Sequence, residues 1–336
     1  MNERTPLGSR SLSEGQAPHA TDLSEEHTSF AHAVRFYLQL RPRQLPSRFL
    51  YDALGSALFD AICHLPWYPI TRAELRLLRR HAATIGQVLK RGVRVVELGS
   101  GNGEKLATFV THADVARAHA YLIDVSAAAL ARTVQALSAV DGVDLKVTQH
   151  RATYEDGLLA LPAADTDPTL VAFLGSNIGN FDPPGAAAFL GLIRAALRPH
   201  DYLLLGADLV KPERQLLLAY DDPLGLTAAF NKNLLVRINN DLGGDFQLES
   251  FAHRAVWNAA ASRIEMHLVS LRPQDVHVRG SQLRFRLEED ETIWTESSYK
   301  YEPRTIAELV EPTGFVQRNQ WVDDDERFAL TLFRAI

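Results

Sequence analysis

Apolar and polar positions follow three different rhythms along this chain of 336 residues. From residue 28 to about 86 the spacing is helical. Leu54, Leu58, Phe59 and Ile62 recur at i, i+4, i+5 and i+8 and form one apolar stripe. A further helix is expected to start near Thr71, with Glu74 completing a capping box. From 93 to 209 short apolar runs alternate with helical stretches. Strands are expected at 93–98, 120–125, 143–148, 169–175 and 202–207, and helices at 104–112, 126–140 and 184–197. Such alternation predicts a parallel sheet with helices on both faces. After Lys211 it stops. A helical stretch at 227–242 gives way to two-residue alternation, as in Ile264-Glu265-Met266-His267-Leu268, which suits antiparallel strands. A last helix near 305–311 precedes apolar runs at 316–321 and 328–333, parted by the acidic turn Asp323-Asp324-Asp325-Glu326. No internal repeat stands out.

The run Glu97-Leu98-Gly99-Ser100-Gly101-Asn102-Gly103-Glu104-Lys105 joins the first expected strand to the helix after it. Strand, glycine-rich turn and helix let a backbone approach a nucleotide closely, because glycine has no side chain in the way. The spacing is Glu-x-Gly-x-Gly-x-Gly, and Glu104 stands where a dinucleotide binder has its third glycine. An acidic residue just before the glycines is typical of S-adenosylmethionine enzymes, which makes a methyl donor the leading cofactor and a nicotinamide dehydrogenase the weaker reading. The plainer alternative is a tight turn in some other α/β protein. About twenty residues on, the second strand ends in Asp124, where a carboxylate can accept both ribose hydroxyl protons. Asp124 could also simply cap the helix that follows.

Composition narrows the classes. Hydrophobic residues make up 46% and charged residues 23%, as in a soluble globular protein with one large or two modest domains. The net charge of −6 and the lack of a basic block argue against nucleic acid as a partner. No run is long enough to span a bilayer. The first 26 residues are polar, lack the apolar core of a signal peptide, and read as a disordered tail. The single cysteine, Cys63, excludes an internal disulfide, suits a reducing cytoplasm, and lies among apolar residues as buried filler rather than a nucleophile. The histidines are scattered without a metal-binding spacing, so no metal is expected. No obligate protein partner is evident.

With these segments placed, the chain resembles the L-histidine Nα-methyltransferases of ergothioneine biosynthesis from about Leu45 to its end. The stretches that carry the resemblance are Leu50-Tyr51-Asp52-Ala53-Leu54-Gly55-Ser56, Leu65-Pro66-Trp67-Tyr68-Pro69 and the glycine-rich run. It continues in Phe173-Leu174-Gly175-Ser176-Asn177-Ile178-Gly179-Asn180, Tyr220-Asp221-Asp222, Thr227-Ala228-Ala229-Phe230-Asn231 and Thr295-Glu296-Ser297-Ser298. The resemblance implies an α/β protein with the class I Rossmann-like S-adenosylmethionine methyltransferase fold, whose sheet ends in an antiparallel hairpin. Residues 73–210 with 301–336 are then the donor-binding domain. Residues 27–72 with the insertion 211–300 form a second α+β domain that binds L-histidine. The implied reaction is three methyl transfers to the α-amine, giving hercynine.

By the same resemblance Gly99 and Lys105 contact the methionine part of the donor, Gly101 belongs to the same cofactor site, Asp124 takes the ribose, and Thr153 and Tyr154 flank the adenine. Thr153 stands where the family usually has Asp. Tyr68 and Asn180 would lie near the substrate amine, Asn180 and Tyr220 near its carboxylate, and Glu296 and Ser298 at the imidazole. Tyr51 would sit close to the methylated nitrogen. Tyr51, Tyr68 and Asn180 are therefore the candidate catalytic residues. Each also has an ordinary explanation: a half-buried tyrosine, an Asn that caps a helix before Pro183, or a Glu facing water from a strand. A methyltransferase of another amino acid or amine, or a module that binds the donor without catalysis, would share the glycine motif. Glu296 and Ser298 together suit a basic heterocycle better than an apolar side chain.

Overall fold

The computed structural model describes residues 20–89, 92–163 and 166–336. Its first helix, α1 (Ala20–Gln39), begins inside the stretch to residue 26 that composition assigns to a tail. Residues 1–19 lie outside the described residues. Phe30, Val34 and Leu38 are buried along one face of α1. Once such a face is docked, each added residue gains a hydrogen bond without a new nucleus, so the helix extends backwards past its anchors. The short strand β1 (Arg43–Gln44) follows, then α2 (Ala53–Cys63), whose N-terminus is capped by Asp52 accepting from Gly55 N. Ile62 is buried and Phe59 half-buried, but Leu54 is 53% exposed, because the first turn of α2 packs through Gly55 and Ser56 instead. The helix α3 (Ile70–Leu89) runs unbroken across the expected domain boundary at 72/73. Glu74 forms no capping box there. It is fully buried on the same stripe as Ile70, Ala73, Leu77 and Leu78.

The alternating region forms β2 (Gly92–Leu98), α4 (Glu104–His112), β3 (Arg117–Asp124), α5 (Ala127–Ser138), β4 (Asp144–Arg151), α6 (Tyr154–Leu159), β5 (Thr169–Phe173), α7 (Pro183–Ala195) and β6 (Tyr202–Asp208). All five strands are parallel to their neighbours in this group. Central β2 and β5 are buried at every residue, as both faces carry helices, whereas edge strand β4 is half exposed.

The remaining elements are α8 (Glu213–Tyr220), α9 (Leu226–Leu242), β7 (Phe251–Asn258), β8 (Arg263–Ser270), β9 (Gln274–Val278), β10 (Leu283–Leu287), β11 (Thr292–Tyr299), α10 (Pro303–Val310), β12 (Phe315–Asp323) and β13 (Phe328–Ala335). The last two strands return to the first sheet, where β13 lies antiparallel between β6 and β12. The order is β4-β3-β2-β5-β6-β13-β12, five parallel strands closed by an antiparallel hairpin, which is the Rossmann-like methyltransferase sheet. A second sheet has the order β1-β11-β8-β7, and β9 and β10 form a separate hairpin. Among the described residues no helix is long and apolar enough to cross a membrane.

Candidate active site

The site starts at the carboxyl ends of β2, β3 and β5, where an open parallel sheet leaves room for a ligand. After β2 the chain turns at Gly99 with φ of 84°. A Cβ there would lie 2.7 Å from the Tyr154 hydroxyl, so only glycine fits on both counts. Gly103 has a different task. Its absent side chain lets α4 approach Thr133 of α5, whose Cα would be 2.5 Å from an added Cβ. Asp124 ties two loops together, accepting from Ser100 N at 2.9 Å and Ser126 N at 2.8 Å. It does not cap α5; Ser126 does, through Ala129 N. Burial raises the Asp124 pKa, and backbone N–H groups of Ser126, Ser100 and Gly101 partly offset this. Thr153 caps α6, exchanging hydrogen bonds with Asp156, while the Tyr154 ring packs edge-on to Phe173.

Three ionisable groups meet behind the glycine turn. Lys105 Nζ is 2.7 Å from Glu74 Oε2, and both Glu74 oxygens accept from Gly175 N, at 2.8 and 3.0 Å. Gly206 makes room for this carboxylate: a Cβ would lie 1.9 Å from Oε1. Burial opposes the charge on Lys105, but pairing with Glu74 more than offsets it, and the Lys105 pKa is raised. Glu97 is buried, and burial pushes its carboxyl well above the usual range despite Lys105 nearby. Its Oε2 atom has no hydrogen-bond partner among the described residues. The sequence carries a sign of Glu74 that the capping reading overlooks: a lone acid on an apolar helical stripe is seldom left in the core unpaired.

A recess beside this cleft brings together all six residues that the resemblance assigns to substrate. Tyr51, Tyr68, Asn180, Tyr220, Glu296 and Ser298 line it, with Phe59, Phe230 and Met266. Asn180 ends the 3-10 turn Asn177–Asn180 after β5 and does not cap α7, which Asp182 caps through Gly185 N. Tyr51, Phe59 and Phe230 pack with centroids 5.4–5.8 Å apart, and Tyr68 stands 6.2 Å from Tyr220. Burial, and for Tyr51 the nearby Glu296, holds both the Tyr51 and Tyr68 phenols well above their ordinary pKa. They are neutral hydrogen-bonding groups.

Glu296 enters the recess through an irregularity in β11. Trp294 pairs with His267 and Glu296 with Met266, so Thr295 is an extra residue in the ladder. Such a bulge re-aims the side chain beside it. Buried contacts hold it: Thr295 Oγ1 donates to Asn231 Oδ1 at 2.6 Å, and Asn231 Nδ2 lies 2.9 Å from His253 Nδ1. His253 Nε2 lies 2.8 Å from Tyr220 O, so Nε2 carries the ring proton and Nδ1 accepts. Burial pushes the Glu296 pKa up to about 7, with Lys300 pulling the other way. The structure thus turns Glu296 inward, against the alternative in which it faces water.

The larger cleft, about 960 Å³, is lined by Gly99, Gly101, Lys105, Asp124, Thr153 and Tyr154. It shares Tyr51, Tyr68, Asn180 and Glu296 with the recess, so the two adjoin along that wall. Cys63 is half-buried in its wall rather than sealed in the core. A nucleoside-sized methyl donor fits this cleft. The glycine turn leaves its backbone open, and the orphaned Glu97 oxygen and the Lys105 ammonium are suited to the two charged ends of an amino acid.

The family model for a histidine-specific, S-adenosylmethionine-dependent methyltransferase matches residues 30–335. A histidine N-alpha-methyltransferase of Mycobacterium tuberculosis (strain CDC 1551 / Oshkosh) is 37% identical over 321 residues, covering 93% of this chain and 98% of that protein. Its counterpart in Mycolicibacterium smegmatis is 38% identical over 303 residues, 89% of this chain and 92% of that protein. Ergothioneine biosynthesis protein 1 of Neurospora crassa is 30% identical over 295 residues, 85% of this chain and 32% of that protein.

Proposed function

This chain belongs to the histidine-specific, S-adenosylmethionine-dependent methyltransferases, and from that premise we propose that it methylates the α-nitrogen of L-histidine three times, giving hercynine for ergothioneine biosynthesis. The observation that carries the reading is that donor cleft and recess adjoin at a common wall of Tyr51, Tyr68, Asn180 and Glu296. In this reading residues 27–72 with 211–300 serve histidine, and 73–210 with 301–336 serve the donor. The helix α3 packs against α4, β12 and β13, and so carries Glu74 to the donor side. A cytoplasmic location suits the single free cysteine.

S-adenosylmethionine supplies a methyl group on a positively charged sulfur. Lys105 would hold its carboxylate and Glu97 its ammonium, with Gly99 and Gly101 allowing close approach of the backbone. Asp124 would take the ribose, and Thr153 and Tyr154 would flank the adenine. On the substrate side Tyr68 and Asn180 orient the amine, Asn180 and Tyr220 the carboxylate, and Glu296 and Ser298 the ring. Tyr51 faces the reacting nitrogen.

Transfer from a sulfonium is an in-line displacement, so the protein's main work is to hold nitrogen and methyl in near-attack geometry. The nucleophile must be the neutral amine, and an α-amine with a pKa of roughly 8 is mostly protonated at pH 7. The tyrosines are too weakly acidic to act as phenolate bases, so they orient the amine while its proton leaves through water. As methyl groups accumulate the nitrogen becomes a fixed cation. The faces of Tyr51, Phe59 and Phe230 offer that cation a favourable wall, which supports progress to the third transfer. The test is mass spectrometry of histidine incubated with the protein and S-adenosylmethionine. Three successive methylations at the α-nitrogen are expected. Unmodified histidine beside another methylated amino acid would overturn the reading.

A further inference from the structure

Behind the recess lies a buried charge cluster that the roles above do not use. Lys300, just past the end of β11, has a fully buried ammonium that does not line the recess or the cleft. It donates to Tyr220 Oη at 2.8 Å and Ser298 Oγ at 2.9 Å, and pairs with Asp208 Oδ2 at 2.9 Å. Those three contacts use all three ammonium protons. The other Asp208 oxygen is taken by Lys211 Nζ at 2.7 Å, which also donates to Glu326 O. Two ammonium groups therefore share one carboxylate, leaving one positive charge in excess one layer behind the wall. Burial opposes the charge on Lys300, and Asp208 more than offsets it, so the ammonium persists. Glu296, on β11, also feels the charge of Lys300.

The cluster restricts where two hydroxyl protons can go. Lys300 can only donate, so Tyr220 and Ser298 both accept from it. The two hydroxyls are also 2.8 Å apart and bonded to each other, which uses one of their two protons. A single hydroxyl proton is left for the recess. A carboxylate can only accept, so one docked at Tyr220 takes that proton. Ser298 must then donate to Tyr220, and it meets the ligand as an acceptor, ready for a ring N–H.

We propose that Lys300 is a positioning residue that orders Tyr220 as a donor and Ser298 as an acceptor, and that it thereby makes the recess select amines bearing a free α-carboxylate. The proposal rests on the reading of the recess as the seat of histidine. It assigns to Lys300 both the orientation of the wall and the charge that draws the carboxylate to it.

The experiment compares kcat/KM for histidine with that for histamine, which has the same ring and an amine but no carboxylate. The wild type should prefer histidine by about tenfold or more, the range of a charge-assisted hydrogen bond. Lys300→Met should raise the histidine KM by at least about tenfold and bring the preference to within about threefold, because Tyr220 and Ser298 are then free to turn their protons toward Asp208 and the charge behind the wall is gone. Its KM for S-adenosylmethionine should stay within about twofold, since the donor lies outside the affected network. A merely structural lysine would slow both substrates equally and leave the ratio as it was, which would overturn the proposal. Should Lys300→Met lose donor binding altogether, Tyr220→Phe decides: it deletes the proton that Lys300 directs, and must collapse the same ratio. An unchanged ratio there, or no wild-type preference, sinks the idea even when histidine is methylated normally. Absence of any histidine methylation in the wild type would instead defeat the underlying reading of the recess.

Discussion

Replacing Glu296 by Gln should stabilise the ligand-free protein in mild alkali while weakening its activity. In the fold, burial pushes this carboxyl up to about 7 from an ordinary 4.5, even with Lys300 nearby. Below pH 4.5 both folded and unfolded states carry the proton, and the group adds no pH dependence. Between 4.5 and 7 the folded protein keeps a proton that the unfolded chain has released, so stability falls as pH rises. Above 7 both states are ionised and the cost is constant. Integrated over that window, the cost is about 1 kcal/mol at pH 5 and about 3 kcal/mol at pH 8. The recess adjoins the large open cleft, and screening should reduce the difference between the two pH values to about 1–2 kcal/mol. Gln has the same shape and no charge, so it removes this cost, and its pH-independent effects cancel when two pH values are compared. The assay is urea unfolding of wild type and Glu296→Gln at pH 5 and pH 8 without ligands. A stability gain no larger at pH 8 than at pH 5 would refute the argument that burial strains the charge. The same variant should lose kcat/KM for histidine, because the stability cost is the consequence of keeping an acid where the ring docks.

Further expectations follow from the other buried groups. Asp124→Ala should weaken donor binding by about 10- to 150-fold, the value of a lost charge-assisted hydrogen bond, with histidine binding little changed; calorimetry giving donor affinity within about twofold of wild type would count against the ribose role. Glu74→Ala leaves the Lys105 ammonium and Gly175 N–H without their partner, and should cost about 3–5 kcal/mol in urea unfolding together with donor affinity. Wild-type stability in that variant would mean that cleft water replaces the carboxylate. Glu296→Ala should lower the ratio of kcat/KM for histidine over tryptophan by about tenfold, because a site built to pair a ring N–H rejects rings lacking it only while the partner is present. An unchanged ratio, with circular dichroism intact, would remove Glu296 from the ring site.

The division between what residues announce locally and what only folding decides is sharp in this protein. Strands β2, β3, β5 and β6, the glycine turn and helix α4 were legible because each rests on local physics: buried apolar runs, positive φ and helical spacing. The closing hairpin showed locally only as two apolar runs parted by an acidic turn, and its place in the sheet came from the resemblance. The helix α6, six residues long, is too short to show a period, and α8 was not read from the sequence. The candidate substrate residues were found through a family pattern, since Tyr51, Tyr68 and Glu296 judged singly look like ordinary aromatics and a surface acid. Three things needed the tertiary structure. Glu74 looked like a capping residue until α3 packed it against Lys105, Gly175 and the gap at Gly206. Glu296 looked solvent-facing until the extra residue Thr295 turned it inward. Lys300 carries no local mark, and its meaning comes from Asp208, Tyr220 and Ser298 arriving from two different sheets and a helix. The physical reason is one of range. Backbone preference and periodicity act over a few residues and are written in the order of the chain, whereas desolvation and charge pairing depend on which distant groups share a water-poor space, and only the folded chain brings those together.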